Sequence, residues 1–219
     1  MPSLYTALSF LGTAFLLALS PGPDNLFVIT LSALRGVKSG LWMVLGLCSG
    51  LVVHTLAVAL GVGALLATSV VAFTVLKVIG ALYLLYLAWG AWRASPATAD
   101  TAPTVPALTP LQAWRRGVFM NLTNPKVLVF FLALFPSFIY PERGSAFTQT
   151  LCLGALFMFA TWITFSALAL LAGSIGQQLQ RSASAQRWLN RSASVVFVGL
   201  ALKLLLPDAV WKRVLNLFG

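Results

Sequence analysis

Six long apolar runs separated by short polar segments organise the chain: residues 4–34, 40–68, 70–92, 117–140, 147–172 and 194–215. Each reaches the ~20 residues that a helix needs to cross a ~30 Å hydrocarbon core. The pattern predicts an all-α integral membrane protein of six transmembrane helices. A single helix over 40–92 would be roughly 80 Å long at 1.5 Å per residue, so a turn is expected near Ser69. The first run resembles the apolar part of a signal peptide, but no Lys or Arg lies in residues 1–5 and the run continues past Pro21-Gly22-Pro23. It reads as a mature helix.

The first run would be ~45 Å long as one helix, and Pro21-Gly22-Pro23 divides it. Each proline removes a donor and clashes with the preceding turn, and Pro23 turns Gly22 away from helical geometry. A matching break lies in the fourth run. Leu19-Ser20-Pro21-Gly22-Pro23-Asp24 leads into Asn25-Leu26-Phe27-Val28, and Leu122-Thr123-Asn124-Pro125-Lys126 leads into Val127-Leu128-Val129-Phe130. Thr123 or Asn124 would cap a half-helix opening at Pro125. Each broken span is followed by two more. Because three is odd, the second unit would enter the membrane from the opposite side, giving two inverted three-helix repeats, a transporter-like organisation. The units are 1–93 and 115–219. Between them, 94–114 reads as a flexible linker whose Pro96, Pro103, Pro106 and Pro110 bar regular structure.

Composition agrees with this reading. Hydrophobic residues make up 59% of the 219 and charged residues 8%, far below the roughly 25% charged content of soluble domains. Fourteen Lys and Arg face four acidic residues, a balance that in water would suggest nucleic acid. Here the basic residues cluster between spans, so topology explains them and no nucleic-acid partner is expected. Arg35, Lys38, Arg93, Arg115, Arg116, Arg181, Arg187 and Arg191 fall on one side, and Lys77, Arg143, Lys212 and Arg213 on the other. Eight against four puts the first side in the cytoplasm and both termini outside. Tyr5, Trp92, Trp114, Tyr140 and Trp211 read as interfacial belts.

The candidate chemistry lies at the two breaks. Asp24 and Lys126 each follow one, and a charge at membrane depth costs at least ~2.5 kcal/mol and usually marks an ion or substrate pathway. Asp24 suits the positive end of a half-helix, but Lys126 opposes it and needs a partner, either Asp24 or a ligand carboxylate. One reading is a structural Asp24–Lys126 pair. The other is a site for a zwitterion, with ammonium on Asp24 and carboxylate on Lys126 and the exposed half-helix amides. Ser20, Asn25, Thr123 and Asn124 flank the charges as further substrate- or proton-binding candidates, and Pro21, Gly22, Pro23 and Pro125 form the breaks. His54, the single histidine, is either a proton relay or a hydrogen bond to a neighbouring helix. Asn121, Thr161, Thr164 and Ser166 line a cavity or hold helices together. Gly46, Gly50, Gly61 and Gly63 read as close-packing positions, and Cys48 and Cys152 as small packing residues. No metal site and no cofactor are expected.

The segment Ser20-Pro21-Gly22-Pro23-Asp24, Arg35-Gly36 at the next loop and Asn124-Pro125-Lys126 in the fourth span together resemble the LysE/RhtB family of amino-acid exporters, the lysine exporter superfamily. The resemblance covers nearly the whole chain. It implies a bacterial inner-membrane exporter of amino acids or close derivatives, driven by the proton gradient, with both motifs in functional helices. The residues themselves favour a secondary active transporter that moves one half against the other, alone or as a homo-oligomer. No phosphate-binding Gly-rich loop is present for direct use of ATP. In this scheme Asp24 carries the proton. An ion channel or metal-ion carrier is the alternative, but Asp24 is the one acidic residue at a helix break. A membrane enzyme is disfavoured by one histidine and no intramembrane Glu.

Overall fold

The computed structural model describes residues 1–68, 70–95, 107–174 and 182–206. Every described element is a helix: α1 (Leu4–Leu19), α2 (Pro23–Arg35), α3 (Val37–Thr68), α4 (Val70–Arg93), α5 (Pro110–Thr123), α6 (Pro125–Val129), α7 (Ala146–Ser174) and α8 (Ala183–Leu205). After α6 the chain continues through a π-helical turn (Phe130–Leu134) and a 3-10 turn (Phe135–Phe138), and a second 3-10 turn (Pro141–Arg143) precedes α7. Segments of α3, α4, α7 and α8 are long and apolar enough to cross a membrane, and two helix pairs qualify together: α1 with α2, bent by 61°, and α5 with the α6 segment, bent by 50°. Counting each pair as one span gives six. The chain is a multi-pass membrane protein. The expected turn at Ser69, the linker prolines Pro96, Pro103 and Pro106, and Arg181, Trp211, Lys212 and Arg213 lie outside the described residues.

Local chemistry explains both bends. Ser20 leaves the helix in an extended conformation and returns its hydroxyl to Leu16 O at 2.8 Å. Pro23 then opens α2 as its first residue, with Asp24 in the first turn, the end where a negative charge is favoured. In the second pair, Asn124 precedes a proline and is extended, as the clash with the proline ring requires. Its side-chain oxygen accepts from Lys126 N at 3.0 Å, so Asn124, not Thr123, caps α6.

Two helix starts differ from expectation. Pro110 opens α5 rather than barring a helix, because the first helical position needs no N–H donor. Thr109 and Gln112 cap that end reciprocally, Thr109 Oγ1 accepting from Gln112 N and Gln112 Oε1 from Thr109 N. Likewise α8 begins at Ala183, eleven residues before the apolar run, since Gln186, Arg187, Asn190 and Arg191 lower its hydropathy without preventing helix.

Packing joins the halves along several helix pairs, and two places bear on the breaks. Phe10 of α1 meets Phe135 and Phe138 edge to face at 5.0 and 5.1 Å and Phe157 of α7 at 6.3 Å. The other place is the crossing of α3 and α5. A Cβ added to Gly46 would fall on Trp114 O, and one added to Gly117 on Met43 O, so only glycine permits this approach. Gly50 likewise makes room for the Asn121 side chain. The close-packing expectation holds for Gly46 and Gly50 but not for Gly61, which has open space where a Cβ would stand. Gly63 has no described side-chain environment.

Candidate functional site

The two helix breaks meet, and each supplies what the other lacks. In a continuous helix Leu17 O would accept from the N–H of residue 21, but Pro21 has none. Lys126 Nζ takes that vacancy, donating to Leu17 O at 3.3 Å and to Ser20 O at 3.0 Å. An ammonium group thus lies at the negative C-terminal end of α1, where a cation is stabilised. The opposition between Lys126 and its own half-helix is met by hydrogen bonds to backbone carbonyls and by the nearby charge of Asp24. Ala18 O, left open as the helix unwinds, accepts from Asn25 Nδ2 at 2.7 Å.

The second break shows the same logic. Pro125 leaves Asn121 O without its usual donor four residues on. Asn124 N covers it at 3.2 Å, and His54 Nε2 lies 3.4 Å from it. The His54 ring also stacks on Phe131 at 5.2 Å. Asp24 Oδ2 accepts from Asn124 Nδ2 at 2.6 Å, while Asp24 Oδ1 has no hydrogen-bond partner. Both charges are buried, Asp24 at 3% and Lys126 at 5% exposure, and their hydrogen bonds come from Asn124 and from carbonyls.

Beside them is a cavity of about 20 Å³, room for about one water. Its polar wall is Asp24, Asn121, Lys126 and Thr161, and Leu47, Leu51, Phe157 and Phe165 supply most of the rest. Of the sequence-level candidates, the structure brings together Asp24, Lys126, Asn25, Asn124 and the backbone of Ser20. Gly22 belongs with them for space, since a Cβ there would stand 3.1 Å from Lys126 Nζ. Thr123 does not join them. It is exposed and donates to Phe119 O within its own helix. His54 touches the second break without lining the cavity. Among the described residues, no three His, Cys, Asp or Glu side chains come together.

A family model described as LysE type translocator matches residues 2–207. The chain belongs to the LysE type translocator family. Among its relatives, an uncharacterized membrane protein of Vibrio cholerae is 36% identical, the match covering 92% of this chain and 97% of the relative. A homoserine/homoserine lactone efflux protein of Salmonella typhi is 34% identical, covering 87% of this chain and 91% of the relative. A leucine efflux protein of Enterobacter sp. is 31% identical, covering 87% and 90%. No solved structure matches.

Two features of this LysE type translocator escape sequence reasoning about the charges alone. The partners of Lys126 are carbonyls at Leu17 and Ser20, and carbonyls carry no sequence signature. The available signal was Pro21, whose missing N–H orphans the carbonyl of residue 17. Asn121 resembles Thr161, Thr164 and Ser166 in sequence as an isolated polar residue in an apolar run, but its Oδ1 is buried without a partner and the residue lines the cavity.

Proposed function

We propose that this chain is a secondary active exporter of amino acids or close derivatives in a bacterial inner membrane, working by proton antiport. Family membership and the names of the homoserine and leucine efflux relatives support the substrate class. The observation that carries the mechanism is the meeting of the two breaks, with buried Asp24 and Lys126 on the wall of one cavity. Unwound backbone and ionisable groups at membrane depth are tolerated where they line a pathway.

The substrate carboxylate draws Lys126 off the carbonyls of Leu17 and Ser20, and the ammonium group docks on Asp24 Oδ1. A proton arriving on Asp24 neutralises the carboxylate, weakens its hold on the ammonium group and releases the substrate outward. Asn25 and Asn124 hold the two breaks in register, and the Ser20 carbonyl parks Lys126 between cycles. His54 is assigned a supporting role, covering the Asn121 carbonyl that Pro125 exposes, rather than proton transfer. If His54→Gln abolished the dependence on the pH gradient, the relay would be restored as its function.

The halves 1–93 and 115–219 are taken as inverted repeats that rock against one another. The packing is compatible with that exchange. If α1 corresponds to α5 and α3 to α7, the contact of α1 with α7 is the counterpart of that of α3 with α5, and both occur. The contacts of α3 with α7 and of α4 with α8 are then their own counterparts. The cavity admits only about one water, so loading requires its walls to part, as alternating access demands.

The test is flux of labelled amino acids in proteoliposomes with and without an imposed pH gradient. Wild type should show saturable flux that responds to the gradient. Asp24→Asn should lose the gradient response, and an unchanged response would refute proton carriage by Asp24.

A further inference from the structure

We propose that Asn121 is a substrate-binding residue, its amide oxygen receiving the ammonium group beside Asp24 Oδ1, and that the substrate side chain is neutral and apolar. The proposal rests on the amino-acid export reading above and names the chemistry of the same site.

Asn121 is 2% exposed, and its Oδ1 has no partner in the resting arrangement. It stands on the wall of the cavity that also holds Asp24 and Lys126. Of the residues lining the cavity, Asp24 and Asn121 each carry a buried acceptor without a donor, Asp24 Oδ1 and Asn121 Oδ1, and together they suit a ligand with several N–H groups on one atom. The position is built rather than incidental. A Cβ on Gly50 would lie 2.6 Å from Asn121 Oδ1, so glycine at 50 is what lets the amide lie there. Lys126 Nζ spends two of its three donors on Leu17 O and Ser20 O, leaving one for a carboxylate even before it moves.

The remaining wall decides the side chain. Leu47 and Leu51 come from α3, and Phe157 and Phe165 from α7, with Thr161 the one uncharged polar residue besides Asn121. Asp24 and Lys126 are the charged residues lining the cavity, and both are committed to the α-amino and α-carboxyl groups. A second charge on the ligand would therefore meet hydrocarbon with no counter-ion, an arrangement that strongly disfavours it. Leucine or methionine fits such a wall, and lysine or glutamate does not.

The experiment is saturable flux in proteoliposomes with leucine, methionine, lysine and glutamate, for wild type, Asn121→Leu and Asn121→Ser. Wild type should move leucine and methionine at least about tenfold more efficiently than lysine or glutamate, and equal rates for the charged pair would overturn the apolar side-chain site. Asn121→Leu should raise KM for leucine by about tenfold, and Asn121→Ser, which keeps an uncharged acceptor, should raise it less. An unchanged KM in Asn121→Leu, or a Ser variant as impaired as the Leu variant, would overturn the role of Asn121. Should Asn121→Leu fail to insert, Gly50→Ala replaces it, because the added methyl displaces the amide oxygen and should raise KM likewise, and an unchanged KM there would overturn the role. If wild type moves no amino acid at all, the export reading itself fails, a result distinct from each of these.

Discussion

At the scale of single residues, Asn124 is the hinge of the arrangement. It caps α6 through Lys126 N and donates to Asp24 Oδ2. Replacing it with alanine removes a cap worth about 1 kcal/mol and a bond to a charged group worth about 1.5–3 kcal/mol. Asn124→Ala should lower the thermal midpoint in detergent by about 5–10 °C and impair transport. Thr123→Ala, one position away, should change neither, because Thr123 is exposed and bonded within its own helix. Sequence alone made Asp24 and Lys126 conspicuous, since a charge in an apolar run stands out. It ranked Thr123 beside Asn124, because spacing does not tell which of two adjacent polar residues turns toward the neighbouring helix.

Prolines work at the scale of helices by what they fail to donate. Pro21→Ala would restore an N–H for Leu17 O, the carbonyl that Lys126 now occupies. The variant should keep or gain thermal stability while losing transport, and parallel unfolding and flux measurements would separate the two effects. A loss of stability with transport intact would contradict this account of the break. The α3–α5 crossing makes the opposite case. Gly46→Val sets a branched side chain against the Trp114 carbonyl and should sharply reduce the yield of folded protein in size-exclusion profiles. Both breaks were legible because proline and glycine act locally. The early starts of α5 and α8 were not, because Arg115, Arg116, Arg187 and Arg191 are polar by composition yet helical by propensity. The π-helical turn at Phe130–Leu134 had no signal either.

For the whole molecule, hydropathy revealed a multi-pass helical protein because the bilayer imposes span length directly. It said nothing of which helices touch, since in lipid the choice rests on small residues and shape rather than on amphipathic faces. The proposed orientation makes its own prediction. In a Cys48→Ala/Cys152→Ala background, Ser3→Cys should react with a membrane-impermeant maleimide in intact cells, and Lys38→Cys should react only after permeabilisation. The reverse pattern would invert the topology. The central claim is that the two breaks form one substrate site in which Lys126 receives the carboxylate. Its most direct test is saturable amino-acid flux by correctly inserted Lys126→Gln in proteoliposomes. The account predicts that this flux is lost while the protein remains folded, and undiminished flux would contradict it.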